Sequence, residues 1–118
     1  KKQVNSMSEL EQLREKILQF RDERNWQQFH NPKDLALSLS LEASELLELF
    51  QWKTSDEAVE KNLDNMKSKL ADVLIYAILF AHETGIDISS AIVEKINKNN
   101  LKYPIEKSYS NKDKYTSF

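Results

Sequence analysis

Residues 70–81 read LADVLIYAILFA. Eleven of these twelve are apolar or aromatic, and the exception is Asp72. The run ends a longer pattern in which Val59, Leu63, Met66, Leu70, Val73 and Ala77 step by 4, 3, 4, 3 and 4. That is the spacing of one face of an α-helix. After Leu70 the helix becomes apolar on all sides, and such a helix has to be buried all round. Four helices from 118 residues can hardly surround one of their own members. The reading is therefore an oligomer, at least a dimer, with 70–81 at its centre. A monomeric bundle with a greasy face is the plain alternative.

Working outward, Thr54 and Glu57 form a capping box at the start of this helix, and Gly85, the only glycine, is placed to end it. Asp87 caps a further helix over about 88–102, which Pro104 stops. On the N-terminal side, Ser8 and Glu11 form another capping box. Leu10, Leu13, Ile17 and Phe20 give that helix an apolar stripe to about Asn25. An aromatic break, NWQQFHNP, follows. Asn31 with Pro32 then opens a helix expected to run to Trp52. The tail, 105–118, reads as polar and irregular. One glycine and two prolines are too few for the turns of a β-rich domain of this size. The expectation is an all-α bundle of four main helices in a single domain spanning 1–118, its core completed by oligomerisation.

Composition narrows the partners. A net charge of −2 gives no electrostatic case for nucleic acid or an anionic membrane. No apolar run reaches the roughly 18–20 residues that span a bilayer. No signal peptide is visible, and a start at Lys1 instead of Met suggests a trimmed product. Without cysteine there is no disulfide or thiolate metal site, which agrees with a cytoplasmic protein.

Three carboxylates lie where apolar residues are expected. Leu35, Leu39, Glu42, Leu46 and Leu49 step by 4, 3, 4 and 3, so Glu42 sits in an apolar seam. Glu45 neighbours it one turn on. Asp72 sits in the middle of the most apolar helix. Burying three unpaired carboxylates costs several kcal/mol each, against a total stability of about 5–15 kcal/mol. Two compensations are open. One is an interhelical salt-bridge network using Lys69, Lys33 or Arg24. The other is a divalent cation, and an all-oxygen ligand set suits Mg²⁺ or Mn²⁺.

Five motifs then occur in order: WQQFHNP (26–32), EASELLELFQWK (42–53), LADVLIY (70–76), KINKNNLKYP (95–104) and KYT (114–116). Together they resemble the MazG-like all-α nucleoside triphosphate pyrophosphohydrolases, closest to the dCTP pyrophosphatase branch. The resemblance spans about residues 10 to 116. It implies hydrolysis of a (deoxy)nucleoside triphosphate, with dCTP or a modified dCTP favoured, to monophosphate and pyrophosphate. It also implies Mg²⁺ held by Glu42, Glu45 and Asp72, and a homo-oligomer, a tetramer built from dimers or a dimer. The family's E-x-x-E maps onto Glu42 and Glu45, but its later E-x-x-D maps onto Lys69 and Asp72. Lys69 thus stands where a fourth metal ligand is expected. It could weaken metal binding, lower the metal count or contact a phosphate, and the alternative function is nucleotide binding with weak or lost catalysis.

The remaining candidates are substrate contacts. His30 maps to the nucleotide pocket, against a surface loop histidine. Trp26 and Trp52 could stack on the base, against a role as core anchors. Tyr76, one turn after Asp72, could reach the site, against a buried tyrosine bonded to backbone. Lys95, Asn99 and Tyr103 recur at i, i+4 and i+8, fit for phosphate or base, against a solvated helix end. Glu48 continues the i+3 series beside the carboxylates, or is a surface charge.

Overall fold

A computed structural model of the chain describes residues 7–110 and 112. Among them are five α-helices, one 3₁₀ turn and no strand: α1 (Glu9–Glu23), the 3₁₀ turn Trp26–Phe29, α2 (Pro32–Glu48), α3 (Ser55–Thr84), α4 (Ile88–Lys102) and α5 (Ile105–Ser108). The all-α reading holds, and its four main helices are α1 to α4. The chain divides between Gly85 and Ile86 into two compact units.

The start signals act as their chemistry requires. Ser8 Oγ accepts from the Glu11 amide at 3.1 Å, while Glu11 Oε1 accepts from the Ser8 amide at 3.0 Å. Thr54 and Glu57 repeat this reciprocal pair at 3.2 and 2.9 Å. Asn31 and Asp87 each accept one amide of their first turns. Such caps satisfy amides that have no partner inside the helix. Gly85 ends α3 at φ 73°, in the left-handed region that favours glycine.

Three boundaries differ from expectation. The first helix ends at Glu23, because Asn25 turns left-handed at φ 54° ahead of the 3₁₀ turn. The second ends at Glu48, not Trp52. Its chain tightens through Phe50 N–H to Leu47 C=O and Gln51 N–H to Glu48 C=O, and Trp52 then adopts φ 63°. The tail is not wholly irregular, since Ile105–Ser108 makes one helical turn. The KYT motif at 114–116 lies outside the described residues.

In the first unit α2 packs along α3, and α1 packs on α3 more lightly. The long helix α3 is broken at Asn62, which has non-helical φ −121° and ψ 20°. Its side-chain Nδ2 donates to the Leu49 carbonyl at 3.0 Å. The break thus supplies a donor to the C-terminal end of α2, where carbonyls lack helical partners. Leu35, Ala58, Met66, Ile78, Leu79 and Ala81 are buried. Leu70 and Leu74, however, stay 52% and 54% exposed. One chain therefore covers one side of the 70–81 helix and leaves the other open.

Candidate functional site

Three candidate side chains lie along α3. Lys69, Asp72 and Tyr76 follow one another at spacings of 3 and 4 residues, so they share one face. Lys69 reaches across to α2. Its Nζ stands 2.5 Å from Glu45 Oε1 and 3.3 Å from Glu42 Oε1. The three side chains are part-buried. Hydrogen bonds donated to Glu45 first and Glu42 second hold the Lys69 ammonium well above its ordinary pKa. Glu42 and Glu45 are thus ion-paired with Lys69, and not with Lys33 or Arg24.

Among the described residues, no group of three or more acidic, histidine or cysteine side chains is arranged to hold a metal. Glu42, Glu45 and Asp72 do not converge as the metal expectation requires. A lysine ammonium holds the space between the two glutamates. The side chains present thus do not fit a resident three-carboxylate metal site.

Asp72 and Tyr76 face a cleft of about 370 Å³, within the size range of small-molecule sites. Its apolar wall comes from Ile17, Phe20, Trp26, Ile75 and Leu79. Its polar groups are Lys16, Arg21, His30, Asp72 and Tyr76. Phe20 and Trp26 meet edge to face with centroids 5.7 Å apart, and the Arg24 guanidinium lies 3.7 Å from the Phe20 ring centre. His30 Nδ1 is buried there with no hydrogen-bond partner. Burial chiefly, and the Arg21 charge next, lower the His30 pKa below its ordinary 6.5, against a partly opposing Glu83. The ring is therefore mainly neutral at pH 7, with an unused nitrogen beside the cleft.

Arg21 was not singled out by sequence, yet it is 8% exposed and holds one edge of the cleft. Its Nη1 donates to Glu83 Oε2 at 3.1 Å and its Nε to Asp22 Oδ1 at 2.9 Å. A signal existed: Arg21 falls four residues after Ile17, on the apolar stripe of α1. The same logic that picked out Glu42 applies to it. Lys16 carried no comparable signal.

The structure brings Trp26, His30, Asp72 and Tyr76 to one cleft. It does not bring Trp52 there. That side chain is 93% exposed on the left-handed turn after α2, so it is neither a core anchor nor a wall of this cleft. Glu48 is exposed on α2. Lys95 and Asn99 lie one turn apart on α4 of the second unit, and Tyr103 caps its C-terminal end.

Residues 37–118 match the MazG-like family. The mouse protein dCTP pyrophosphatase 1 is 38% identical, over 91% of this chain and 66% of that protein. Human dCTP pyrophosphatase 1 gives the same identity and coverage. The chain thus spans just under two thirds of the length of these curated relatives. A crystal structure of a pyrophosphatase from Archaeoglobus fulgidus superposes with a TM-score of 0.78 at 39% identity, covering 83% of this chain and 94% of that one. With more than half of its length matched by one family, and an all-α fold shared with that neighbour, the chain belongs to the MazG-like family.

Proposed function

We propose that the protein is a nucleoside triphosphate pyrophosphohydrolase, acting on dCTP or a modified dCTP and serving to cleanse the nucleotide pool. The observation that carries this reading is the cleft beside Asp72 and Tyr76 in a chain 38% identical to proteins named dCTP pyrophosphatase 1. A flat base suits an apolar cleft with Trp26 and Phe20 in its wall, since a base can stack on one exposed aromatic face. The His30 imidazole and the Tyr76 hydroxyl offer hydrogen bonds to base or sugar. The phosphates would run along α3 toward Lys69.

Asp72 makes no ion pair among the described residues, whereas Glu42 and Glu45 are tied to Lys69. Asp72 is accordingly the carboxylate assigned to orient a water and take its proton. The water oxygen attacks the α-phosphorus, the bond from that phosphorus to the bridging oxygen breaks, and pyrophosphate leaves. Mg²⁺, or Mn²⁺ in its place, would neutralise phosphate charge, and we propose that it arrives with the nucleotide. Lys95, Asn99 and Tyr103 are proposed as further phosphate or base contacts, and Trp52 as part of a neighbouring subunit's surface.

We also propose a homo-oligomer, dimer or tetramer, in the cytoplasm. The half-exposed Leu70 and Leu74 supply an apolar face for it. The whole 1–118 chain would form one functional domain, with no nucleic-acid or membrane partner. A specific observation favours a second reading. The Lys69 bridge ties two of the three expected metal ligands, which suits a nucleotide-binding protein with weak turnover.

The test is product analysis with a panel of nucleoside triphosphates and Mg²⁺. Equimolar pyrophosphate and monophosphate, fastest from dCTP, supports the enzyme. A rise in melting temperature with dCTP but no product supports the binder. Neither effect with any nucleotide would overturn both readings.

A further inference from the structure

The Lys69 ammonium lies within ion-pair distance of one oxygen each from Glu42 and Glu45. A divalent ion shared by those oxygens would need the same space, at about 2.0–2.1 Å from each for Mg²⁺. To enter, it would have to displace the ammonium and break both ion pairs. The trio of two carboxylates and one ammonium carries a formal charge of −1, while a glutamate at 69 would make it −3.

We propose that Lys69 is a tethered cation that closes the Glu42–Glu45 site, so that the nucleotide-free protein takes up no divalent metal there. The bridge then does in the resting protein what a bound ion would do for the carboxylates: it neutralises and orders them. Access for an ion requires Lys69 to swing away, and the triphosphate, itself anionic, is the group able to draw the ammonium off. This rests on the pyrophosphohydrolase reading only for the claim that phosphates reach Lys69. The closure itself rests on the ion pairs.

The test is a Mn²⁺ titration without nucleotide, followed by the paramagnetic resonance signal of free Mn²⁺. It is run on the protein and on Lys69→Glu, Lys69→Met and Lys69→Glu/Glu45→Gln. Helical content by circular dichroism confirms that each is folded, and Lys69→Met serves if Lys69→Glu does not fold. The expected result is no uptake by the protein itself and one equivalent by Lys69→Met. Lys69→Glu should bind about tenfold more tightly than Lys69→Met, since ligand charge sets affinity, and adding Glu45→Gln should abolish the gain. Uptake by the unmodified protein that Glu45→Gln removes would overturn the proposal. So would absence of uptake in every variant, because Lys69 would then not be what excludes the ion. Neither metal result depends on turnover, so failure here and failure of the enzyme reading are separately visible.

Discussion

Arg21 Nη1 donates to Glu83 Oε2 at 3.1 Å, tying α1 to the last turn of α3 beside the cleft. The arginine side chain is only 9% exposed and the glutamate 27%. Removing one partner of a buried pair leaves a charge without compensation and costs about 3–5 kcal/mol. Partial exposure of Glu83 and the second contact to Asp22 reduce this. Arg21→Met should destabilise the fold by about 2 kcal/mol in urea unfolding, and Glu83→Gln by less. An unchanged unfolding midpoint in Arg21→Met would show that the pair does not anchor α1.

The same corner sets a pH dependence. His30 has a lowered folded-state pKa, so the unfolded chain binds the proton more tightly than the folded one. Above 6.5 the histidine is neutral in both states and contributes nothing. As pH falls below 6.5 the unfolded state gains protons first, and stability drops until the folded-state value is passed. The difference in stability between the protein and His30→Gln should therefore shift against the protein between pH 7 and 5. A difference that stays flat over that range would contradict the burial of this ring.

Lys69 titrates at the other end of the scale, with the opposite sign. Its raised pKa adds stability that is fully present below its ordinary 10.5 and is lost as pH rises through the folded-state value. Thermal unfolding should show this contribution unchanged from pH 6 to 9, with loss only in strong alkali. Lys69→Met should lack the alkaline loss. An onset near neutral pH would mean the ammonium is not held between Glu42 and Glu45.

Trp52 adopts φ 63° with its side chain almost wholly in solvent. The left-handed region costs a bulky residue about 1–2 kcal/mol, while glycine there pays about 0.5–1 kcal/mol in chain entropy. Trp52→Gly should therefore leave stability within about 1 kcal/mol of the parent, as read from thermal unfolding at low concentration. If Trp52 works at a subunit contact, the same variant should shift sedimentation toward smaller species. A large loss of monomer stability would contradict its exposed placement.

How much of this was legible in the sequence follows from the range of each interaction. Caps and the Gly85 terminus act within one turn, so Ser8, Thr54, Asn31 and Asp87 identified themselves. The misplacement of Glu42 in an apolar seam pointed to compensation, and the structure supplies it through Lys69. Which cation would face Glu42 was not readable, because the Lys69 contact depends on how α2 registers against α3, a distance of 27 residues along the chain from Glu42 to Lys69. Trp52 misled for a similar reason. Its place in an ELFQWK run suggested helix, but α2 ends at Glu48, and the side chain stands in solvent and does not line the cleft.

The most direct test of the site is pyrophosphate release from dCTP with Mg²⁺, measured side by side for the protein and Lys69→Glu. The expected result is release by both, faster in Lys69→Glu, with dCMP formed in equal amount. Absence of release and of dCTP binding in both proteins would contradict it.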